Sequence, residues 1–98
     1  MTINKKSNGT SLEIAISGRI DTVTAPELEA ELSASLDGVE HLTLDFSEIS
    51  YISSAGLRIM LSAQKRMNKQ GDMKVTNVNE SVMEIFEVTG FNDILCIE

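Results

Sequence analysis

The sequence predicts an α/β fold in which one mixed β-sheet begins with a β-hairpin and carries helices packed by crossover connections. Two patterns alternate along the 98 residues. In one, apolar residues occupy every second position, as in a half-buried strand; in the other they recur every three or four positions, as in an amphipathic helix. Their order is β-β-α-β-α-β-α-β, and single helices between strands imply parallel crossovers. We expect one domain over residues 1–98, because this length suits a single core.

The chain opens with a predicted hairpin of strands at residues 2–7 and 11–17. Asn8-Gly9 lies between them and is the dipeptide that most strongly favours a tight hairpin turn. Every second residue of the second strand is large and apolar, which predicts that one face of the sheet is buried. The residues expected on that face are Leu12, Ile14 and Ile16.

A loop at residues 17–22 leads into the first predicted helix. Thr24 and Glu27 have the spacing of a capping box, in which the two side chains bond backbone N–H groups at the helix start. Leucines then repeat at four-residue intervals, and the helix is expected to end near Gly38. These leucines are Leu28, Leu32 and Leu36.

The central strand is expected at residues 42–46, and the longest helix begins near Ser54 and ends at Gly71. A further strand is expected at residues 73–78, before a third helix. The apolar faces together predict one core. Its expected members are Leu12, Ile14, Ile16, Leu28, Leu32, Leu42, Leu44, Phe46, Leu57, Leu61, Ile85 and Phe86.

The end of the chain predicts one more helix and one more strand. Asn79 is the expected N-cap of the third helix, and Gly90 is the residue expected just after its last turn. A last short strand is expected at residues 94–97. Cys96, within that strand, is expected to be buried.

The composition excludes several classes of function. With 15 acidic and 8 basic residues the net charge is −7, which argues against a nucleic-acid partner. No apolar run approaches the ~20 residues of a membrane span, so we expect a cytoplasmic protein with no membrane insertion, as a monomer or weak dimer. The single cysteine, Cys96, and the single histidine, His41, supply neither a metal cluster nor a nucleophile–base pair. We therefore expect no catalytic residue, no metal and no cofactor.

The charges are unevenly distributed. Most basic residues lie in or just after the helix that begins near Ser54, whereas acidic residues concentrate on the first helix. A solvated helix face explains each cluster most simply, and a protein partner is the alternative. The clustered basic residues are Arg58, Lys65, Arg66, Lys69 and Lys74.

The segment at residues 52–57 lies where the central strand gives way to the longest helix. A helix start has free backbone N–H groups and a partial positive charge, which favour an anion such as a phosphate attached to serine. Ala55 and Gly56 are small and would let another molecule approach. Ser53 or Ser54 is then either a plain N-cap or part of a functional site.

Asp21 occupies the corresponding position after the preceding strand. In an open α/β sheet, sites lie beyond the carboxyl ends of the strands. Asp21 and the two serines at 53 and 54 are therefore expected to share one surface. The alternative for Asp21 is a carboxylate that stabilises a turn or a helix start.

Over nearly its whole length the chain resembles the STAS domain family, and most closely its stand-alone bacterial anti-sigma factor antagonists. The matching segments are residues 18–21, 44–46, 51–57 and 84–91. In that family an anti-sigma factor that is also a serine kinase phosphorylates the serine two positions before the motif glycine. That position is Ser54 here, with Ser53 as a rival acceptor. Ser53 stands where the family commonly has Asp, and Ala55 where it commonly has Ser or Thr.

The resemblance implies a binding module and not an enzyme. Unphosphorylated, the chain would bind the anti-sigma factor kinase and free a sigma factor; phosphorylation at Ser54 would end that binding, and a phosphatase would restore it. The kinase would hold ATP and Mg²⁺. The residues implied in partner binding are Asp21, Ser53, Ser54, Ala55 and Gly56.

Two other interpretations remain from the sequence. In the first, the chain is a STAS accessory subunit that clamps the ATPase of a lipid or anion transporter. In the second, it is a sensor that binds a small molecule or nucleotide at the same strand ends.

Overall fold

The computed structural model describes all 98 residues, with a four-stranded mixed sheet at its centre. The strands are β1 (Thr2–Asn8), β2 (Ser11–Ile20), β3 (His41–Ile52) and β4 (Asp72–Thr76), side by side in that order. β1 is antiparallel to β2, whereas β2, β3 and β4 are mutually parallel. The predicted fold class is confirmed.

Two helices connect the parallel strands, α1 (Ala25–Ser35) and α2 (Ser54–Gln70), and a third, α3 (Glu80–Thr89), follows β4. Because the parallel strands follow one another in a single direction across the sheet, right-handed crossovers place the helices on one face. Burial agrees, since alternate residues are buried over the first part of each parallel strand and those between them are not. The sheet therefore has one covered face and one open, mainly polar face.

The core consists of 25 buried apolar residues in one cluster. Ten of the twelve residues expected there belong to it, whereas Leu61 and Ile85 are only half buried. Close packing at Gly56 explains the position of Leu61: a Cβ on this glycine would lie 2.6 Å from Ile20 Cγ2. With Gly56 against the sheet, Leu61 lies about 140° away around the helix axis, at the boundary of the buried face.

Two strands are longer than the sequence indicates. β2 continues to Ile20 and β3 to Ile52, so most of the loop expected at residues 17–22 is strand. The pairing of β2 with β3 shifts register between Ala15 and Ser17 and again between Gly18 and Arg19. These irregularities interrupt the alternation of apolar residues, so the apolar pattern of the sequence stops before the strands end.

The C-terminal residues do not form the expected strand. A 3₁₀ turn at Phe91–Asp93 follows α3, and only a single parallel bridge joins Ile97 to Val75 of β4. The prediction that Cys96 is buried is also wrong, because its side chain is exposed. β4 itself ends at Thr76, because the next residue, Asn77, adopts a left-handed conformation with φ 58°.

The third helix begins and ends as predicted. The side chain of Asn79 accepts a hydrogen bond from the backbone N–H of Val82 at 2.8 Å, so Asn79 is the N-cap. Gly90 follows the helix with φ 80°, a left-handed conformation that glycine adopts without steric cost. Gly71, which ends α2, is required for another reason, since a Cβ there would lie 1.8 Å from the carbonyl oxygen of Glu40.

Candidate functional site

The ends of β2 and β3 bring the two predicted functional segments to one edge of the sheet. Ile20 and Ile52 are partners in the parallel register, and Asp21 and Ser53 follow them directly. The backbone N–H of Ser53 donates to the carbonyl oxygen of Ile20 at 2.8 Å. The two corners, β2–α1 and β3–α2, therefore lie side by side.

Ser53 is the N-cap of α2. Its backbone is extended, with φ −95° and ψ 177°, and its hydroxyl oxygen accepts a hydrogen bond from the N–H of Gly56 at 3.5 Å. Its carbonyl oxygen accepts the first helical hydrogen bond, from the N–H of Leu57 at 2.9 Å. The side chain and carbonyl of Ser53 are thus both engaged in starting the helix.

Ser54, the first residue of α2, makes no side-chain hydrogen bond of this kind. Its side chain is exposed, and its hydroxyl has no hydrogen-bond partner in the protein. The backbone N–H groups of Ser54 and Ala55 also donate to no acceptor, as expected for the first turn of a helix. This corner therefore presents a free hydroxyl beside two free N–H groups.

Gly56 has a different role from the one the sequence indicated. A Cβ at this position would lie 2.6 Å from Ile20 Cγ2 and 2.7 Å from Ile52 Cγ1. Its small size therefore allows α2 to approach its own strands and does not open a path for another molecule. Ala55 is 8% exposed and also belongs mainly to the core. Of the small residues in this segment, only Ser54 is freely accessible.

The β2–α1 corner is closed by side-chain hydrogen bonds. Asp21 Oδ1 accepts from the backbone N–H groups of Val23 at 3.0 Å and Thr24 at 3.1 Å. The Thr24 hydroxyl donates to the carbonyl oxygen of Arg19 at 2.7 Å and accepts from the N–H of Asp21 at 3.0 Å. The expected capping box is wrong, because this hydroxyl points back into the corner and makes no cap bond to α1.

The hydrogen bonds hold Asp21 in its charged form. Donation by the backbone N–H of Thr24 is the largest influence that lowers the pKa of this carboxyl, and partial burial opposes it. The N–H of Val23, the Thr24 hydroxyl and Arg19 lower the pKa further. Asp21 is therefore a carboxylate at neutral pH, with one oxygen committed to the turn.

Sequence reasoning missed a cation–π pair beside these corners. The Arg19 guanidinium carbon lies 4.5 Å from the centre of the Tyr51 ring, and Arg19 Nε is 3.6 Å from Asp21 Oδ2. Arg19 and Tyr51 are register partners on β2 and β3. Arg19 lies two residues before Asp21, and Tyr51 lies two residues before Ser53. This equal spacing is the sequence feature from which the pair could have been predicted. The pair fixes the guanidinium beside Asp21 and partly balances its charge.

Other features of the chain lie apart from this edge. His41 and Asp72 form an exposed pair at the opposite end of the parallel strands. No group of three or more histidine, cysteine, aspartate or glutamate side chains is arranged to hold a metal ion. No helix is both long and apolar enough to cross a membrane.

Comparison with known proteins assigns the family. The model of the STAS domain matches residues 2–98. The chain belongs to the STAS domain family. The Bacillus subtilis anti-sigma-B factor antagonist is 30% identical over 98 residues, which cover 99% of this chain and 90% of that protein. BtrV of Bordetella bronchiseptica is 38% identical over 81 residues, which cover 81% of this STAS chain and 70% of BtrV.

Solved structures share the fold. A crystal structure of an anti-sigma factor antagonist from Mycobacterium paratuberculosis superposes with a TM-score of 0.88 at 25% identity, covering 98% of this chain and 83% of the other. SpoIIAA of Bacillus in its phosphorylated form has a TM-score of 0.75 at 15% identity, covering 99% and 91%. A sulfate transporter family protein from Wolinella succinogenes has a TM-score of 0.76 at 17% identity, covering 88% and 71%.

Proposed function

We propose that this protein is an anti-sigma factor antagonist whose binding is controlled by phosphorylation of Ser54. The observation that carries the proposal is the contrast between adjacent serines at the start of α2. Ser53 uses its hydroxyl oxygen to cap the helix, whereas the Ser54 hydroxyl is exposed and unbonded. The names of the B. subtilis and M. paratuberculosis relatives supply the partner class, an anti-sigma factor.

In the proposed mechanism the unmodified corner is a contact surface. The Ser54 hydroxyl is small, so a partner is able to pack over the first turn of α2 and over the neighbouring Asp21 corner. Asp21 holds that corner in shape through its bonds to Val23 and Thr24. The anti-sigma factor, once bound here, no longer holds its sigma factor.

Phosphorylation would turn this contact surface into a repulsive one. A phosphoserine carries about −1.5 to −2 charges at neutral pH. The helix terminus stabilises that charge, because the N–H groups of Ser54 and Ala55 are free to donate to phosphate oxygens. Burying the same charge in an interface without cationic partners costs several kcal/mol, enough to separate a complex of micromolar affinity.

The chemistry belongs to the partner. The Ser54 oxygen would attack the γ-phosphorus of ATP held with Mg²⁺ by the anti-sigma factor kinase; the bond to ADP breaks, and the hydroxyl proton passes to a base of the kinase. This chain contributes only the acceptor oxygen and needs no cofactor. A phosphatase would hydrolyse the phosphoserine, and we place the whole exchange in the cytoplasm.

The test is phosphorylation by purified anti-sigma factor kinases encoded in the same genome. Incubation with ATP and Mg²⁺ should add one phosphate, visible by mass spectrometry as a single mass step. Ser54→Ala should abolish the step and keep binding, whereas the matched control Ser53→Ala should still be phosphorylated. The reverse result would move the acceptor to Ser53. Absence of the step with every such kinase would refute the switch.

The Ser54→Asp variant measures how much of the loss of binding on phosphorylation is due to negative charge. One carboxylate carries less charge and fewer acceptor oxygens than a phosphate. The variant should therefore bind the anti-sigma factor more weakly than wild type and more tightly than the phosphorylated protein. Isothermal titration calorimetry on the three forms provides the comparison, and affinity equal to wild type would contradict the charge mechanism.

A second candidate is a STAS subunit that clamps a transporter ATPase. The structural similarity to the W. succinogenes sulfate transporter family protein motivates it, and at 17% identity that similarity concerns the fold alone. The free Ser54 hydroxyl favours the first candidate. A pull-down with the transporter ATPase and the anti-sigma factor kinase as separate baits distinguishes the two.

A further inference from the structure

The basic side chains of this protein divide into paired and unpaired groups. Of the 8 basic residues, four form ion pairs: Lys5 with Glu31, Arg19 with Asp21, Arg66 with Asp37 and Lys74 with Glu98. The remaining four have no acidic partner within 4 Å. Three of these unpaired cations lie on α2, and the fourth lies on β1. The unpaired residues are Lys6, Arg58, Lys65 and Lys69.

Charge is segregated among the three helices. The 17 residues of α2 include no aspartate or glutamate, whereas α1 and α3 include no lysine or arginine. The net charge of the whole chain is −7. A basic helix surface in an acidic protein is therefore a localised feature, and only Arg66 on this helix is paired with an acidic side chain, Asp37.

The three unpaired cations of α2 share one exposed stripe with Ser54. At about 100° per residue, Ser54, Arg58, Lys65 and Lys69 fall within an arc of about 60° on the helix surface. All four side chains are exposed. We call these four residues the basic stripe; at 1.5 Å per residue it extends about 22 Å from the β3–α2 corner.

We propose that the basic stripe is a docking surface for an acidic surface of the anti-sigma factor partner. The proposal rests on the proposed function, which brings the partner onto Ser54. A partner seated there covers the first turn of α2, and its contact surface continues along the stripe. Charge complementarity decides the occupant, because three unpaired cations in a row favour carboxylates.

The stripe also gives phosphorylation a second effect. Side chains four residues apart lie one above the other on a helix, and each Cα–Cβ bond leans toward the N-terminus. Arg58 is thus positioned to lean over Ser54. A phosphate on Ser54 would pair with Arg58 in the same chain, so the cation nearest the corner would no longer be available to the partner. The same phosphate would repel the partner's carboxylates.

The test compares charge reversal on the stripe with charge reversal elsewhere. Lys65→Glu with Lys69→Glu alters the stripe and leaves Ser54 intact. The control is Lys6→Glu with Lys74→Glu on the open face of the sheet, which makes the same change in net charge. It also breaks the exposed Lys74–Glu98 pair, and a pair of this kind contributes little to the free energy of unfolding. Equal melting temperatures of the variants and wild type establish that both are folded.

The measurement is the association rate with the anti-sigma factor kinase that phosphorylates Ser54, at low and at high salt. The stripe variant should associate at least about tenfold more slowly at low salt, with a difference that shrinks as salt is added. The control should stay within about twofold of wild type. Equal rates for the two variants, with binding and phosphorylation intact, would overturn the docking surface and leave the proposed function standing.

If no kinase binds the wild-type protein, the proposed function fails, and a peptide probe then decides separately whether the stripe binds acidic segments. A glutamate-rich twelve-residue peptide at low salt should shift the amide signals of Arg58, Lys65 and Lys69 in an NMR titration of the wild type and the control, and not of the stripe variant. Absence of these shifts, or equal shifts on the open sheet face, overturns the inference. Salt-sensitive dimerisation through the stripe would also overturn it, because a second copy would then be the occupant.

Discussion

The β2–α1 and β3–α2 corners start from the same position, the end of a buried parallel strand, and are built in opposite ways. In the first, the side chains of Asp21 and Thr24 bond the backbone groups around them. In the second, the chain turns from strand to helix at a single residue, Ser53, with one long cap bond to Gly56. In the first corner most polar groups are bonded, with Thr22 the exception, whereas the second has a hydroxyl and two N–H groups unbonded at the start of its helix.

This difference separates a corner whose shape is held by side-chain hydrogen bonds from one whose outer polar groups are accessible. The close approach of Gly56 to Ile20 and Ile52 replaces the side-chain bonds that the second corner lacks. Packing of Gly56 against the two strands holds that corner in place, so the exposed Ser54 hydroxyl is not needed for its structure.

The largest effect is expected at Gly56. Gly56→Ala places a Cβ less than 3 Å from both Ile20 and Ile52, and overpacking of this kind costs about 1–3 kcal/mol of unfolding free energy. Thermal and urea unfolding measure the loss. Ser62→Ala, an exposed change on the same helix, is the control and should change the free energy of unfolding by less than about 0.5 kcal/mol. An unchanged Gly56→Ala variant would mean that packing does not hold this corner.

A smaller effect is expected at Asp21. Asp21→Ala removes the acceptor of two backbone N–H groups, so the melting temperature should fall by several degrees. Asp21→Asn keeps a carbonyl oxygen in the Oδ1 position and removes the charge. It should therefore lower the melting temperature less than Asp21→Ala does, because it keeps the acceptor and loses only the stabilisation due to the charge, while changing anti-sigma factor affinity. A melting temperature for Asp21→Asn as low as that of Asp21→Ala would show that the charge itself holds the corner.

The two serines should differ more subtly. Ser53→Ala removes the N-cap of α2, for which substitutions cost about 0.5–2 kcal/mol; the 3.5 Å bond indicates the lower end. Ser54→Ala removes a hydroxyl with no partner and should leave the free energy of unfolding unchanged. Chemical denaturation of the pair is the measurement. Equal losses would indicate that the two serines share the capping role.

The smallest effect is a pH dependence confined to the first corner. Folding lowers the pKa of Asp21 below the value of about 3.9 in an unfolded chain. The resulting stabilisation is complete above that pH and is lost as the pH falls through the folded pKa. In acid titrations followed by NMR, the amide signals of Val23 and Thr24 should shift with the Asp21 carboxyl, while that of Gly56 should not shift with this carboxyl. Asp21→Asn should abolish the Val23 and Thr24 shifts.

Much of the fold was predictable because burial follows simple periods. The hairpin at Asn8-Gly9, the Asn79 cap and the Gly90 helix end all depend on neighbouring residues alone, and the structure has each of them. The extended ends of β2 and β3 were not predictable in this way. Irregular pairing between those strands decides where Ile20 and Ile52 lie. The register between two strands depends on both of them and on their surroundings, so it does not follow from the sequence of one strand.

The site was predictable in position and less so in detail. Asp21 and Ser53 were expected at one sheet edge because parallel strands share their carboxyl ends. Thr24 was assigned to a capping box because its spacing to Glu27 fits, yet its hydroxyl finds the carbonyl of Arg19 closer at hand. Such competition between hydrogen-bond partners depends on the path of the backbone, which spacing alone does not determine.

Residues 96–98 pair with β4 through only two backbone hydrogen bonds. The N–H of Val75 donates to the carbonyl oxygen of Cys96 at 2.8 Å, and the N–H of Glu98 donates to the carbonyl oxygen of Val75 at 2.9 Å. β4 is an edge strand, and unpaired edges recruit strands from other molecules. These two bonds occupy the middle of that edge. Residues 96–98 therefore occupy backbone groups of β4 that would otherwise be open to pairing with a strand of another molecule.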